Sequence, residues 1–400
     1  MSSHTLVACA LLLPVCALLP AHATAGAGDP RPARSAAGAA RPAKASVRAS
    51  APSAGLAAAA SAGPNAPRPT QVAAAAAGTA RAFPRQSPFV ERTFRPFIGE
   101  RWIGEAIAYG PHRDGQHPGG PAPSRAELRE DLQLMSKHWS LLRIYGSVGW
   151  PDSLLEIIRS DGLEMKVLLG VWIAREERRD STGKVIERFP AARAANQAEV
   201  EGAVRLAAAY PEIVLAVSVG NETQVTWSSH TCPPELLVKY LREVRARTTV
   251  PVTTADDFAF WKSPASEPIA KEVDFVFVNL HPLWNGRPLD DAVPWTKRTI
   301  AEVQAAHPGR LVVIGETGWA TQRSHEGEQG RLIKGETGET QQATFRDALS
   351  AWTRADRIAT FFFEAFDENW KGGPEPDEVE KHWGLFRADR SPKLALRGED

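Results

Sequence analysis

The feature that most constrains the fold of this chain is an alternation of short apolar runs, rich in β-branched residues, with longer amphipathic stretches. The alternation repeats roughly eight times over about 300 residues, which is typical of a (β/α)8 TIM barrel. We therefore predict the α/β class, with a barrel over residues 88–400. A doubly wound open sheet is the alternative, but its first turn would be glycine-rich, and residues 104–110 do not carry the dinucleotide fingerprint.

The pattern also predicts individual elements. Strands are expected near residues 103–109, 141–145, 165–173, 213–219, 250–254, 273–280, 310–314 and 358–363. Helices are expected near residues 124–138, 152–160, 198–210, 234–248, 295–306 and 340–355. The first helix has the most specific start, because Ser124 and Glu127 have the spacing of a capping box. The charged segment 175–190 is predicted to be a surface loop or an excursion at the rim.

The N-terminal region has a different composition from the rest of the chain. The apolar run from Leu6 to Leu19 is too short to span a bilayer and predicts a signal peptide within residues 1–25. We therefore expect a secreted or periplasmic protein. Residues 26–87 are rich in alanine and proline and predict a disordered linker before the barrel. Cys9 and Cys16 would leave with the signal peptide, so Cys232 would remain without a disulfide partner.

Charge and composition exclude several functional classes. The 47 basic and 47 acidic residues give a formal net charge of +0, which offers no electrostatic basis for binding nucleic acid. The ten histidines are scattered without a metal-binding spacing, so neither a metal nor a cofactor is expected. The twelve tryptophans favour flat apolar ligands such as sugar faces, although packing in the core accounts for about half of them. We expect a monomer without a membrane span.

Two carboxylates at the ends of predicted strands suggest the chemistry. Glu222 follows the apolar run 213–219, and Glu316 follows the run 310–314. Because the carboxyl ends of barrel strands share one face, the two side chains are expected to converge there. Such a pair suits glycoside cleavage, in which one group protonates the leaving oxygen and the other attacks or activates water. The competing interpretation is that each glutamate only caps a helix.

Other polar and aromatic residues near the same strand ends are candidates for binding sugar. The candidates are Tyr109, Arg143, Tyr145, Asn221, His281, Trp284, Trp319, Glu368, Trp370 and Lys371. Trp172 lies at a comparable position. Glu368 and Lys371 could instead form a solvated ion pair, and Asp256 and Asp257 fit a helix cap better than a catalytic role.

These residues together resemble glycoside hydrolase family 17, the β-1,3-glucanases, in its bacterial-type members. The resemblance covers about residues 95–395. It is carried by Tyr109-Gly110, Arg143-Ile144-Tyr145, Gly220-Asn221-Glu222, Glu316-Thr317-Gly318-Trp319, Phe363-x-x-Phe366-x-Glu368-x-x-Lys371 and Gly384-Leu385-Phe386. In that family a barrel carries an acid/base glutamate on its fourth strand and a nucleophile on its seventh.

The resemblance implies a retaining hydrolase of β-1,3-glucans, with Glu222 as acid/base and Glu316 as nucleophile. It implies that Asn221 bonds the sugar 2-hydroxyl and that Glu368 and Lys371 tune the local charge. His281 stands where family members often carry tyrosine beside the nucleophile. Segments 175–190 and 321–338 could block part of the cleft and favour action at chain ends. A transglycosylase and a non-catalytic glucan-binding protein remain the alternatives.

Overall fold

The computed structural model describes residues 82–397. The predicted signal peptide and nearly all of the predicted linker lie outside the described residues. The boundary at residue 88 stays a prediction, but contacts with the barrel begin before it. Arg85 donates to the carbonyl of Lys271 (3.2 Å), and Gln86 accepts from Arg245 (3.2 Å).

The strands form one closed barrel and two small hairpins. In chain order they are β1 (Phe97–Ile98), β2 (Arg101–Trp102), β3 (Glu105–Ala108), β4 (Leu141–Arg143), β5 (Lys166–Val171), β6 (Glu177–Arg179), β7 (Val185–Arg188), β8 (Val214–Asn221), β9 (Val252–Asp257), β10 (Val276–Asn279), β11 (Val312–Thr317) and β12 (Thr360–Phe362). Eight of them close the barrel in the order β3-β4-β5-β8-β9-β10-β11-β12, and β12 pairs with β3. All of these pairings are parallel, which confirms the predicted (β/α)8 barrel and excludes the open sheet.

The helices connect successive strands around the barrel. They are α1 (Arg125–Met135), α2 (Trp150–Ser160), α3 (Pro190–Ala209), α4 (Pro234–Arg247), α5 (Phe258–Lys262), α6 (Glu267–Ala270), α7 (Leu289–Ala306), α8 (Gly327–Leu332) and α9 (Glu339–Ala355). The capping box is confirmed, because Ser124 Oγ accepts from the backbone of Glu127, and the Glu127 carboxylate accepts from the backbone of Ser124. Helix α3 starts earlier than predicted, since Pro190 suits the first turn of a helix.

The barrel interior is filled by side chains from alternate positions along the strands. These inward side chains include Ala106, Leu141, Leu168, Ala216, Ala255, Phe277, Val313 and Phe361. Phe94, which precedes the barrel, packs at 4.6 Å from Phe275 and contributes to the same core. The alternate residues of the strands pack outward against the helices in a second core. The parity of a residue along its strand therefore decides whether its side chain points inward or outward.

Two long loops follow barrel strands at the carboxyl-terminal face. The segment predicted to be a rim excursion is a hairpin, in which β6 and β7 pair antiparallel. The segment 321–338 contains the short helix α8. Within residues 82–397, no helix is long and apolar enough to cross a bilayer. Cys232 is buried and forms no disulfide within residues 82–397.

Candidate active site

Glu222 stands directly after β8, where the strand carries one extra residue. Ser218 pairs with Thr253 and Asn221 pairs with Ala255, so β8 uses three steps where β9 uses two. The backbone also turns sharply, with positive φ at Gly220 and Glu222. Such a bulge re-aims the following side chains. Consequently the Glu222 carboxylate is buried beside β10 and does not cap a helix.

Glu316 lies inside β11, in a strand that extends further than predicted. A second bulge precedes it, because Val278 pairs with Ile314 while Asn279 pairs with Glu316. Gly315 is the extra residue, and a Cβ there would lie 2.8 Å from Asn279 Oδ1. The bulge reverses the parity of the strand, so Glu316 points toward the barrel axis. The helix-cap interpretation of both glutamates is therefore wrong.

Three groups surround the Glu316 carboxylate. Arg143 Nη1 lies 2.9 Å from Oε1, and the Tyr145 hydroxyl donates to the same oxygen at 2.9 Å. His281 Nε2 lies 3.4 Å from Oε2. His281 therefore keeps a contact with this carboxylate, although the resemblance had placed a tyrosine there.

Arg143 and Asn279 connect the two glutamates. Besides Glu316, Arg143 donates to Asn221 Oδ1 (2.7 Å) and to Asn279 Oδ1 (3.2 Å). Asn279 Nδ2 donates to Asn221 Oδ1 (3.0 Å) and to Glu222 Oε1 (3.2 Å). Sequence reasoning missed Asn279, although a polar residue that ends the apolar run of β10 was a signal that could have found it.

The environment separates the pKa values of the two glutamates. Burial raises the pKa of Glu222 well above its usual range, and the charges of Glu316, Asp256 and Asp257 add to the rise against the opposing bond from Asn279. Burial also acts to raise the pKa of Glu316, but Arg143, His281 and Tyr145 outweigh it, so that the pKa is lowered. The surroundings thus favour the protonated form of Glu222 and the ionised form of Glu316, which is the division that acid-assisted displacement requires.

A second group of buried titratable side chains lies where the segments after β3 and β12 meet; we call it the charge cluster (His112, Glu364, Glu368 and Lys371). Lys371 Nζ contacts both oxygens of Glu364 (2.6 Å each) and Glu368 Oε2 (2.9 Å). Glu368 Oε1 accepts from the backbone of His112 at 3.1 Å. The interpretation of Glu368 and Lys371 as solvated charges is wrong, since both side chains are almost fully buried. Their contact with sugar stays a prediction.

The pKa values within the charge cluster are shifted in different directions. Burial lowers the pKa of Lys371, but Glu364 and Glu368 outweigh it and raise the pKa. Burial raises the pKa of Glu364 well above its usual range. The pKa of Glu368 is lowered, because Lys371 and His112 outweigh the effect of burial. Sequence reasoning missed His112, which meets Glu368 only because β12 closes onto β3, and it missed Glu364, which pairs with Lys371.

Close packing against Glu368 explains the glycine in the Tyr109-Gly110 motif that follows β3. A Cβ at this position would lie 2.4 Å from Glu368 Oε2, so only glycine leaves room for the carboxylate. The preceding Tyr109 does not face the site. Its hydroxyl donates to Asp131 on α1 (2.9 Å), and its ring packs edge-on against Trp150. The prediction that Tyr109 binds sugar is therefore wrong, because the residue has outward parity and is fully buried against helices.

The tryptophans divide between the core and the strand ends. Trp319 is fully buried, packs on Phe345 of α9 and donates to the carbonyl of Glu336, so its prediction as a sugar contact is wrong. Trp370 is partly exposed, and a role in binding sugar stays a prediction. Trp172 is also partly exposed, with its ring 4.5 Å from that of His230.

Trp284 is paired with a carboxylate that sequence reasoning missed. Its indole nitrogen donates to Glu380 Oε1 at 2.9 Å, and both residues are buried. Burial raises the pKa of Glu380 to about 7, with Lys371 and the Trp284 bond opposing. Binding of sugar by Trp284 stays a prediction.

The two aspartates that end the fifth barrel strand, β9, support the backbone. Asp257 caps α5 by accepting from the backbone of Ala259 at 2.7 Å, which confirms the cap interpretation. Asp256 accepts from the backbone of Gln224 at 2.9 Å. Burial raises the pKa of Asp256 to about 8 and that of Asp257 to about 6. Among residues 82–397, no cluster of three metal-binding side chains occurs.

Comparisons with known proteins show to which glycoside hydrolases this chain is similar. Residues 106–384 match the model of the BtgE/BtgC glycoside hydrolase domain. A glucan 1,3-beta-glucosidase of Arthroderma benhamiae is 26% identical over 297 residues, which cover 70% of this chain and 87% of that protein. A putative glucan endo-1,3-beta-glucosidase, btgC, of Aspergillus niger is 26% identical, with 41% of its length covered.

Solved structures are similar over the same region. The crystal structure of an endo-laminarinase from Formosa Hel1_33_131 has a TM-score of 0.63 and 26% identity, and the alignment covers 74% of this chain and 87% of that one. A β-1,3-glucanosyltransferase of Rhizomucor miehei, determined in complex with laminaritriose, has a TM-score of 0.58 and 22% identity, and the alignment covers 73% and 96% of the chains. The second similarity supports the barrel fold alone.

Proposed function

Because the chain belongs to the BtgE/BtgC glycoside hydrolase domain family, we propose that this glycosidase hydrolyses β-1,3-glucosidic bonds in β-glucans. The observation that carries the proposal is the buried pair Glu222 and Glu316, with pKa values displaced in opposite directions. The relatives named as 1,3-β-glucosidases support the linkage. We further propose membership of glycoside hydrolase family 17. Because the curated relatives are fungal, the bacterial type stays a prediction.

In the first step, the ionised Glu316 attacks the anomeric carbon. The bond from that carbon to the glycosidic oxygen breaks, and the protonated Glu222 gives its proton to the leaving oxygen. In the second step, the ionised Glu222 takes a proton from water, whose oxygen attacks the anomeric carbon and releases Glu316. Two displacements return the original anomeric configuration.

The network around the pair has a defined role in each step. Arg143, Tyr145 and His281 keep Glu316 ionised before attack. Asn221 Oδ1 accepts from both Arg143 and Asn279, which leaves its amide N–H groups as the donors that face substrate. These groups donate to the sugar 2-hydroxyl, a contact that strengthens in the transition state.

The substrate class is tested by the reducing sugar released from laminarin, lichenan and cellulose. We expect release from laminarin, and none from cellulose. Laminarin binding without turnover would favour a glucan-binding protein. Longer oligosaccharides at high substrate concentration would mark transfer to an acceptor sugar.

The catalytic pair is tested with azide and an aryl β-glucoside that has a good leaving group. Glu222→Ala still forms the intermediate, which azide then attacks to give the β-glycosyl azide. Glu316→Ala leaves space for azide to attack directly and gives the α-azide. Glu201→Ala, a variant at an exposed ion pair on α3, serves as the control and keeps wild-type activity. The same anomer from both variants, or rescue of Glu368→Ala alone, would show that the pair is wrongly assigned.

Export is also proposed, from the apolar run between Leu6 and Leu19. The proposed location is the periplasm or the outside of the cell. Fractionation of cells that express the full chain, with and without residues 1–25, tests this location. Retention of both forms in the cytoplasm would contradict it.

A further inference from the structure

One face of α3 contacts the backbone of two loops at the carboxyl-terminal end of the barrel. The Glu199 carboxylate accepts from the backbone N–H of Ser147 (2.7 Å), and the Ser147 hydroxyl lies 2.5 Å from the carbonyl oxygen of Glu199 and 2.9 Å from its carboxylate. The same carboxylate oxygen lies 3.4 Å from the backbone nitrogen of Trp172. One side chain on a helix therefore bonds the segment after β4 and the segment after β5 together.

The residues one turn away on either side of Glu199 contact the same loops. Asn196 accepts from the backbone N–H of Ala174 (2.7 Å) and donates to its carbonyl (2.9 Å). Gly202 lets the first loop approach closely, since a Cβ there would lie 2.6 Å from the carbonyl oxygen of Ser147. These three residues are spaced by three, which places them along one side of the helix. We call them the α3 face (Asn196, Glu199 and Gly202).

Both loops carry side chains that reach the candidate site. Tyr145 precedes Ser147 by two residues and donates to Glu316 Oε1 at 2.9 Å. Trp172 packs on His230, whose Nε2 donates to the carbonyl of Asn221 at 2.7 Å. A shift of the first loop would therefore move a group that contacts Glu316, and a shift of the second would move the ring that packs on His230, which bonds the backbone of Asn221.

We propose that the α3 face positions Tyr145 and Trp172, and that Glu199 is thereby a positioning residue for the reaction. This inference rests on the proposed function. Through Tyr145 it acts on the ionisation of Glu316, and through Trp172 on the binding of the sugar chain. Glu199 itself does not touch the reacting atoms.

A carboxylate suits this position better than an amide. Its oxygens only accept, and they face backbone donors from two loops. A glutamine would keep one accepting oxygen but would lose the negative charge, and hydrogen bonds to a neutral oxygen are weaker than those to a carboxylate. Burial raises the pKa of Glu199, while the backbone donors of Ser147 and Trp172 oppose the rise.

The test compares Glu199→Gln with Glu201→Gln. Glu201 lies on the same helix but is exposed and pairs with Arg247, so its variant controls for a lost carboxylate on α3. Hydrogen–deuterium exchange of the full chain without substrate is the first measurement. We expect Glu199→Gln to increase exchange at least tenfold in segments 145–149 and 172–176, the scale for loss of about one to two hydrogen bonds. Glu201→Gln should leave both segments unchanged.

The second measurement is the pH dependence of kcat/KM on a laminari-oligosaccharide. The groups that act on Glu316 are Arg143, Tyr145, His281 and Glu222, with Glu380 also close enough to interact. Of these, only Tyr145 is displaced by the variant. In the pH profile of kcat/KM, we expect the acidic limb of Glu199→Gln to lie at higher pH than that of the wild type. At pH values below this limb, kcat/KM should be lowered about three- to tenfold, the scale of one lost hydrogen bond.

Tyr145→Phe should shift the limb in the same direction, and the double variant should shift it no further. Unchanged exchange in the two segments would overturn the inference. An unchanged limb with only lower thermal stability would also overturn it, because the contact would then be merely structural. If the wild-type chain releases no sugar from any β-1,3-glucan, the proposed function fails separately, and the exchange data alone decide whether the α3 face holds the loops.

Discussion

Replacement of Arg143 by methionine should destabilise the protein in a way that depends on pH. Arg143 is 1% exposed, and its guanidinium lies within 3.2 Å of Glu316, Asn221, Asn279 and the carbonyl of Gly315. Its removal leaves the buried Glu316 without its cation, a loss of about 3–5 kcal/mol in the free energy of unfolding at pH 7.

The sign of the pH dependence follows from the pKa of Glu316. In the wild-type protein this pKa is lowered, so its contribution to stability is present above the unfolded pKa and is lost as pH falls through the folded pKa. Without Arg143, burial dominates and raises the pKa of Glu316. The cost of burying an unpaired carboxylate therefore applies at neutral pH and decreases as Glu316 becomes protonated. The difference in stability between wild type and variant should therefore narrow on acidification.

Urea unfolding at pH 7 and near pH 4 measures this difference. The double variant Arg143→Met/Glu316→Gln should recover most of the loss at pH 7, since no unpaired charge remains. Arg245→Met is the matched control, because Arg245 is also buried in an ion pair, with Asp274, but lies near the amino-terminal segment. Arg245→Met should lower stability but leave the acidic limb of the kcat/KM profile at the wild-type pH, whereas Arg143→Met should move that limb to higher pH. Equal destabilisation of Arg143→Met at both pH values would refute the reasoning.

Three further changes test other parts of the structure. Gly110→Ala places a Cβ 2.4 Å from a carboxylate of the charge cluster and should cost about 1–3 kcal/mol in urea unfolding, whereas Gly373→Ala, with open space around it, should be neutral. Trp319→Ala should lower the free energy of unfolding by about 3–5 kcal/mol, because this side chain is fully buried. Trp370→Ala should leave stability unchanged and weaken oligosaccharide binding, measured by calorimetry, by about 1–3 kcal/mol. The reverse pattern would contradict the placement of the two tryptophans. A chain that lacks residues 1–81 should keep its melting temperature and activity, and a large fall in either would show that the removed segment stabilises the barrel.

The sequence by itself was enough to predict the barrel and to pair the two glutamates. Alternating strands and helices leave few ways to bury apolar faces, and a closed parallel sheet necessarily brings its strand ends to one face. Glu222 and Glu316 could therefore be paired across nearly a hundred residues without coordinates. The capping box of α1 was equally accessible, because it depends only on neighbouring residues.

Tertiary structure alone decided which side chains point into the site. Tyr109 and Tyr145 follow adjacent strands, yet only Tyr145 has inward parity and reaches Glu316. The bulges in β8 and β11 each add one residue, which depends on pairing with a neighbouring strand and leaves no periodic signal. The charge cluster forms because β12 closes onto β3, which joins His112 to Glu368 across 256 residues. Local sequence fixes the elements, but parity, register and closure are properties of the assembled barrel.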